Sequence, residues 1–161
     1  MQDTDDEKRP PVQGIGGWLL CYVVLSSLAL VVMLVSSIQD VLLIMSSPEL
    51  LLPVLSTLFI TIVWGLVYAR ALYELIRLRR GAVSRIRKVI LLSPIVNALL
   101  PFIFSLALFM KIPGAGLAAI LAAAYDMPNV ANIVSSFLVA GIWYWYFKVS
   151  LRVRNTWPEE R

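Results

Sequence analysis

The sequence has no histidine and a single cysteine, Cys21. It therefore has no partner for an internal disulfide, and it lacks the imidazole and thiolate groups that hold most zinc sites. We predict no metal site and no cofactor. Charged side chains are also scarce: they make up 15% of the 161 residues, against about 25% in a typical soluble domain.

Apolar residues take the place of the missing charges. Hydrophobic residues make up 60% of the chain, and the mean hydropathy is +0.82. A water-soluble globule has too little polar surface to cover so many apolar side chains. The length suits one compact unit. We predict an all-α fold, a polytopic transmembrane four-helix bundle.

Four segments are long and apolar enough to cross a hydrocarbon core, which takes about 20 residues. We predict spans at about residues 17–38, 53–76, 89–110 and 130–150. Residues 114–126 are too few to cross, so we expect a short extra interfacial helix in the third loop. The alternative is an extension of the fourth helix, with Pro128 as a kink. The membrane domain should cover residues 14–156, with tails at 1–13 and 157–161 that are unstructured and cytoplasmic.

The distribution of positive charge predicts the orientation of the spans. Lysine and arginine near span ends mark the cytoplasmic side, and in this topology thirteen of the fourteen lie on one side. These are Lys8, Arg9, Arg70, Arg77, Arg79, Arg80, Arg85, Arg87, Lys88, Lys148, Arg152, Arg154 and Arg161. The exception is Lys111. We predict that both termini are cytoplasmic. The net charge of +4 then reflects topology and attraction to anionic lipid headgroups, not nucleic-acid binding.

Two short motifs stand at the two ends of the membrane domain. Gly16, Gly17 and Trp18 open the first span; the glycines allow close backbone approach, and the indole suits the headgroup level. The plain interpretation is a flexible start with an aromatic anchor, and the alternative is a docking surface. The fourth span ends in a run of aromatic residues followed by basic ones, which is typical of a membrane anchor.

These two ends resemble a known family. The sequence Gly-Gly-Trp-Leu at residues 16–19 and Ser-x-Arg-Val-x-Asn-Thr-Trp at residues 150–157 is similar to the start and finish of the bacterial domain of unknown function 2569 family. The matching positions are Gly16, Gly17, Trp18, Leu19, Ser150, Arg152, Val153, Thr156 and Trp157. Asn155 is a further candidate interaction residue in the second motif. The resemblance implies a small four-span protein of the bacterial inner membrane and supplies no activity.

Polar residues form a stripe in the third span. Ser93, Asn97, Pro101 and Ser105 recur every four residues and share one helix face. Asn97 is the most polar side chain near the middle of any span, where polar groups usually face protein or trapped water. We expect it to make a structural hydrogen bond to a neighbouring helix. The alternative is a pathway for an ion or substrate.

Glu74 is the one acidic residue among seven basic ones at the end of the second span and in the loop that follows. Arg70 lies four residues before it and Arg77 three after it, so both can pair with it along one helix face. A further hypothesis is that Glu74 pairs with Arg152 or Arg154. Such a latch would join the ends of the second and fourth helices.

The residue types present favour a protein without catalysis. General acid–base chemistry needs a positioned pair of titratable groups, and the apolar stretch of each predicted span has none. We predict that the protein is not an enzyme but an accessory, assembly or lipid-contacting scaffold protein. Its expected partners are anionic lipid headgroups and another membrane protein or a second copy of itself. The alternative is a small transporter or homo-oligomeric pore that uses the polar stripe of the third span.

The charge distribution gives the first testable prediction. A reporter that is active only in the cytoplasm should work when fused after Arg161 and when inserted between Arg80 and Arg85, because both points lie on the positive side. Reporter activity in whole cells measures this. Activity of a strictly external reporter after Arg161 would contradict the four-span topology.

Overall fold

The computed structural model describes residues 15–110 and 116–157, which are almost entirely helical. In chain order the helices are α1 (Trp18–Ser46), α2 (Leu51–Ile76), α3 (Ala82–Phe109), α4 (Leu117–Ala124), α5 (Met127–Val149) and α6 (Leu151–Thr156). A 3₁₀ turn at Pro48–Leu50 leads into α2. The helices α1, α2, α3 and α5 are long and apolar enough to cross a membrane. The predicted all-α, four-span architecture of a multi-pass membrane protein is confirmed.

The long helices extend beyond the predicted spans. α1 continues past residue 38 through Asp40 to Ser46, and α3 begins at Ala82 rather than near residue 89. For these two spans, the prediction counted only the uncharged residues that fit a hydrocarbon layer of about 30 Å. A helix of 28 residues is about 42 Å long. Its ends therefore reach the headgroups and water, where charged side chains are tolerated.

The short helix α4 is separate from α5, as predicted. The Asp126 carboxylate caps α5 by accepting the backbone N–H of Asn129 at 2.9 Å. Pro128 lies in the first turn of α5, where its missing N–H costs no hydrogen bond, so it does not kink a longer helix. The Tyr125 hydroxyl donates to the Ala98 carbonyl at 3.1 Å and holds the end of α4 against α3.

The long helices pack around a central hairpin of α2 and α3, with α1 mainly on α2 and α5 mainly on α3. α1 meets α5 through Tyr22, whose ring lies edge-on to Trp143 and Phe147 with centroids 4.8 and 4.9 Å apart. We name these three residues the aromatic cluster. They belong to one continuous core that also includes Leu19, Leu72, Leu75, Val83, Ile86, Val153 and Trp157. This core lies at the end of the bundle formed by the α2–α3 turn, the end of α5 and α6, which we call the basic end.

The carboxyl-terminal segment departs from the prediction at one position. Trp157 belongs to the predicted unstructured tail, yet it is 5% exposed and is part of the core. Sequence pattern could not show that α6 follows α5 after a single residue, Ser150, whose hydroxyl caps α6 by accepting the Val153 N–H at 3.4 Å. The predicted tails at residues 1–13 and 158–161, together with Lys111, lie outside the described residues.

A tight turn joins α2 to α3 at the basic end. The Leu78 N–H donates to the Leu75 carbonyl at 3.1 Å, and the Arg79 N–H donates to the Glu74 carbonyl at 3.0 Å. This is the Schellman pattern, which places a left-handed residue just after the helix and usually uses glycine there. Leu78 takes that position with a φ of 52°, which is unfavourable for a side chain with a Cβ.

Replacing Leu78 with glycine should stabilise the protein. Relief of the left-handed backbone is worth about 1–2 kcal/mol, and the greater freedom of glycine in the unfolded chain removes part of that gain, so we expect a net gain of about 0.5–1 kcal/mol. Thermal unfolding in detergent measures the change. The matched control is Ile76→Gly, which removes a similarly exposed apolar side chain (44% against 47% for Leu78) from ordinary helix and should destabilise. A loss in both variants would show that the Leu78 backbone stores no strain.

Candidate functional site

Glu74 is held inside the basic end by two arginines. Its side chain is 3% exposed, and a buried carboxylate is costly unless it is paired. Arg70 Nε on the same helix donates to its Oε1 at 3.4 Å. Arg85 Nη1, from the first turns of α3, donates to its Oε2. Glu74 therefore ties α2 to α3 beside the turn that connects them.

The partners of Glu74 differ in part from those predicted. Arg70 contacts it as the helical spacing indicated, but Arg77 instead stacks over Tyr73, with its guanidinium carbon 5.5 Å from the ring centroid. No ion pair joins Glu74 to Arg152 or Arg154 among the described residues. The hypothesis of a latch between α2 and the end of the fourth span is wrong, because Arg85 takes the place beside the carboxylate. Sequence spacing gave no signal for Arg85, since the pair depends on the geometry of the turn.

The two end motifs meet at the basic end. Arg152 on α6 places its Nη1 in the space that a Cβ at Gly16 would occupy, so the glycine permits the guanidinium to lie against the start of the chain. Gly17 has a φ of 55° and precedes α1, where Trp18 is exposed. The Gly-Gly-Trp start and the arginine of the second motif therefore form one local structure.

The remaining residues of the second motif shape α6. Ser150 begins the helix through its side-chain cap, and the Thr156 hydroxyl donates to the Arg152 carbonyl at 2.8 Å near its end. Val153 is buried in the core, and Asn155 is half-buried. The motif thus builds a short helix that places one apolar face on the bundle and leaves basic side chains outside it.

A pocket of about 280 Å³ lies between α3, α5 and α6 at the basic end. We call it the basic pocket. Its lining combines three cations with four apolar residues: Arg87, Lys148, Arg154, Val83, Phe147, Val153 and Trp157. No acidic residue is among these. Trp157 Nε1 is buried and has no hydrogen-bond partner within the part of the chain that the structure describes, although buried donors nearly always find one. The three cations of its lining therefore suit the basic pocket to a negatively charged ligand.

A second cavity, of about 310 Å³, lies between the four long helices. We call it the central cavity. Its aromatic and polar lining residues are Tyr22, Trp64, Tyr68, Ser93, Asn97, Ser136 and Trp143. A chain of hydroxyl groups crosses one wall: the Tyr22 and Tyr68 oxygens lie 3.2 Å apart, and Tyr68 donates to Ser26 Oγ at 2.9 Å. None of the described residues that line it is charged.

Asn97 does not make the predicted hydrogen bond to a neighbouring helix. Its side chain is exposed at the central cavity and has no partner among the described residues. The prediction is wrong because four-residue spacing shows only which side chains share a helix face. Whether a neighbouring helix lies within hydrogen-bond distance depends on the distance between the helices in the bundle. Ser93 on the same stripe also lines the cavity, while Ser105 is buried further along α3.

A known protein family matches the region of the chain that contains the two end motifs. A model of a protein family of unknown function, DUF2569, matches residues 12–157. The chain belongs to the DUF2569 family. No curated protein and no solved structure is significantly similar to it. The matched region contains both end motifs and all the helices in the described part of this DUF2569 protein, so the contact between Gly16 and Arg152 lies within the family's shared segment.

The described part of this DUF2569 protein holds no cluster of three or more His, Cys, Asp or Glu residues that could bind a metal ion. The acids there are spread over both ends of the bundle, with Asp40, Glu49 and Asp126 at the end opposite Glu74. The described lining residues of the two cavities offer a ligand charge, hydrogen bonds and apolar contact.

The pairing of Glu74 gives a prediction that distinguishes its observed partner on α3, Arg85, from the partner in the latch hypothesis, Arg152. Glu74→Gln should lower the free energy of unfolding by about 1–3 kcal/mol, because one carboxylate is lost from two arginine contacts. In a double-mutant cycle, Arg85→Gln should couple to Glu74→Gln by about 0.5–2 kcal/mol, which equilibrium unfolding in detergent measures. Arg152→Gln is the matched control and should be additive with Glu74→Gln. Coupling to Arg152 with none to Arg85 would restore the latch.

Proposed function

We propose that this DUF2569 protein is a non-catalytic scaffold of the bacterial inner membrane that binds anionic lipid headgroups at its basic end. Both termini then face the cytoplasm. One observation carries the proposal: Arg87, Lys148 and Arg154 surround the basic pocket, and no acid is among the described residues that line it. Cations at the end of apolar membrane-spanning helices are typical of contact with the phosphate groups of a bilayer, which supports the proposal.

The basic pocket is assembled by the tertiary fold. Arg87 comes from α3, Lys148 from α5 and Arg154 from α6, so the charges are close together only in the folded bundle. Phe147 and Val83 supply an apolar floor. This combination suits a lipid, whose phosphate meets the cations while its glycerol and upper acyl carbons contact apolar side chains.

Among the described residues, Glu74 is the acid near the basic end, and it does not cancel this charge. Glu74 is occupied by Arg70 and Arg85, neither of which lines the basic pocket. Its carboxylate therefore stabilises the α2–α3 hairpin and leaves the pocket cations for an anion.

The proposed orientation is supported by the same charges. The described cations at the basic end come from the α2–α3 turn, α3, α5 and α6: Arg77, Arg79, Arg80, Arg85, Arg87, Lys88, Lys148, Arg152 and Arg154. Positive residues in short segments beside spans are retained on the cytoplasmic side. That leaflet is also rich in anionic lipid, so orientation and headgroup binding agree.

A lipid titration tests the proposal. Phosphatidylglycerol added to the protein in neutral detergent should raise its thermal midpoint, whereas phosphatidylcholine should raise it less. The triple variant Arg87→Gln, Lys148→Gln, Arg154→Gln should need at least tenfold more phosphatidylglycerol for the same shift, since each cation near an anionic surface contributes about 1 kcal/mol.

The matched control for this titration is the triple variant Arg77→Gln, Arg79→Gln, Lys88→Gln. It removes the same charge from the same end, but none of these residues lines the basic pocket. It should respond to phosphatidylglycerol much as the parent protein does. Equal loss in the two triple variants would indicate diffuse attraction and would overturn the pocket as the site.

A transporter or homo-oligomeric pore is the second candidate function. It is favoured by the position of Ser93 and Asn97 at the central cavity. Against a path through one subunit, the aromatic cluster and the core beneath it close the cavity towards the basic end. Cross-linking and mass spectrometry of the detergent-solubilised protein separate the candidates: a stoichiometric membrane partner supports an accessory role, and self-association alone supports a pore.

A further inference from the structure

The side chains that line the central cavity take no part in the proposed binding of lipid headgroups. Its polar groups are neutral: the hydroxyls of Tyr68, Ser93 and Ser136, and the amide of Asn97. A charged ligand placed there would lose its hydration without gaining a counter-charge, which is strongly unfavourable in an apolar layer. The occupant must therefore be neutral.

Two side chains on α3 have unused hydrogen-bonding capacity. The Asn97 amide can donate two hydrogen bonds, and the Ser93 hydroxyl one, yet neither side chain has a partner among the described residues. Unpaired polar groups at membrane depth are costly, because lipid offers no replacement. A ligand with carbonyl or hydroxyl oxygens would provide the acceptors. Ser136 differs, because its hydroxyl already donates to the Ile133 carbonyl at 2.8 Å.

The walls of the cavity suit a flat ring. Tyr22, Trp64, Tyr68 and Trp143 line it from three different helices, and aromatic faces and edges bind planar rings favourably. The volume of about 310 Å³ is at the lower limit of small-molecule sites, which start near 300 Å³. It accommodates one substituted ring and leaves no space for a long tail.

A tail has a way out between α1 and α5. These helices meet at Tyr22 near the basic end, while each packs mainly on a different member of the central hairpin. The side of the cavity between them therefore opens laterally, and the aromatic cluster closes it below. A molecule dissolved in the bilayer can place its ring in the cavity while its apolar tail stays between α1 and α5.

We propose that the central cavity binds the head of a neutral, lipid-soluble ring compound of the quinone class. The ring carbonyls accept hydrogen bonds from Asn97 and Ser93, the ring packs against Trp64 and Trp143, and the tail leaves between α1 and α5. No electron transfer is part of this proposal. The proposal is independent of the basic pocket, which lies on the other side of the aromatic cluster.

Binding of a soluble quinone tests this. The full chain in neutral detergent is titrated with decylubiquinone, and tryptophan fluorescence and the thermal midpoint are followed. We expect saturable quenching and a rise in the midpoint. Asn97→Leu should weaken binding about two- to tenfold, the amount that one hydrogen bond contributes. Asn132→Leu is the matched control, because Asn132 is an exposed amide on α5 that does not line the cavity.

A second pair of variants keeps the test decisive if the loss of Asn97 disturbs folding. Ala29→Leu places a larger side chain on the cavity wall and should abolish saturable binding, whereas Ala131→Leu, away from the cavity, should not. Quenching that never saturates, or that is equal in all variants, would overturn the site. Displacement by monoolein as effectively as by a second quinone would assign the cavity to acyl chains and overturn the preference for a ring.

Failure of quinone binding at the central cavity is distinguishable from failure of the proposed headgroup binding. None of these substitutions removes a charge, so the response to phosphatidylglycerol should be unchanged in each. Loss of quinone binding with an intact lipid response would concern the central cavity alone.

Discussion

Contacts at the basic end hold the four spans together, and the rest of the structure depends on them. Lipid is as apolar as the helix surfaces, so burial of leucine and valine gives little reason for helices to associate within a membrane. Specific contacts must do so instead. The aromatic cluster joins α1 to α5, and the carboxylate of Glu74 joins α2 to α3 through Arg85. Both lie near the same end, and the central cavity lies further along, between the four long helices.

The distribution of charge at this end follows from one buried carboxylate. Glu74 takes up Arg70 and Arg85, and Arg77 and Arg79 stack over Tyr73, 5.5 and 5.8 Å from its ring centroid. The cations of the basic pocket come from other elements and have no acid in the lining with them.

Features that depend on a single helix could be predicted from the sequence. Composition and run length predicted the spans, and i,i+4 spacing predicted the contact of Glu74 with Arg70. Sequence reasoning failed where two elements must be placed relative to each other. Arg85 reaches Glu74 only through the α2–α3 turn, and Asn97 lacks a partner because the bundle opens around it. Gly16 and Arg152 were each identified by motif, but no spacing rule brings residues so far apart in the chain into contact.

The aromatic cluster separates the two cavities and belongs to both. Tyr22 and Trp143 line the central cavity, and Phe147, 4.9 Å from Tyr22 between ring centroids, lines the basic pocket. A substitution in this wall would change the shape of both sites and remove the contact between α1 and α5 at the same time. Its effect on either ligand would then be inseparable from its effect on the fold. The two binding roles can therefore be distinguished only by substitutions outside the aromatic cluster. Substitution of the basic-pocket cations tests one role, and substitution of the neutral polar groups of the central cavity tests the other.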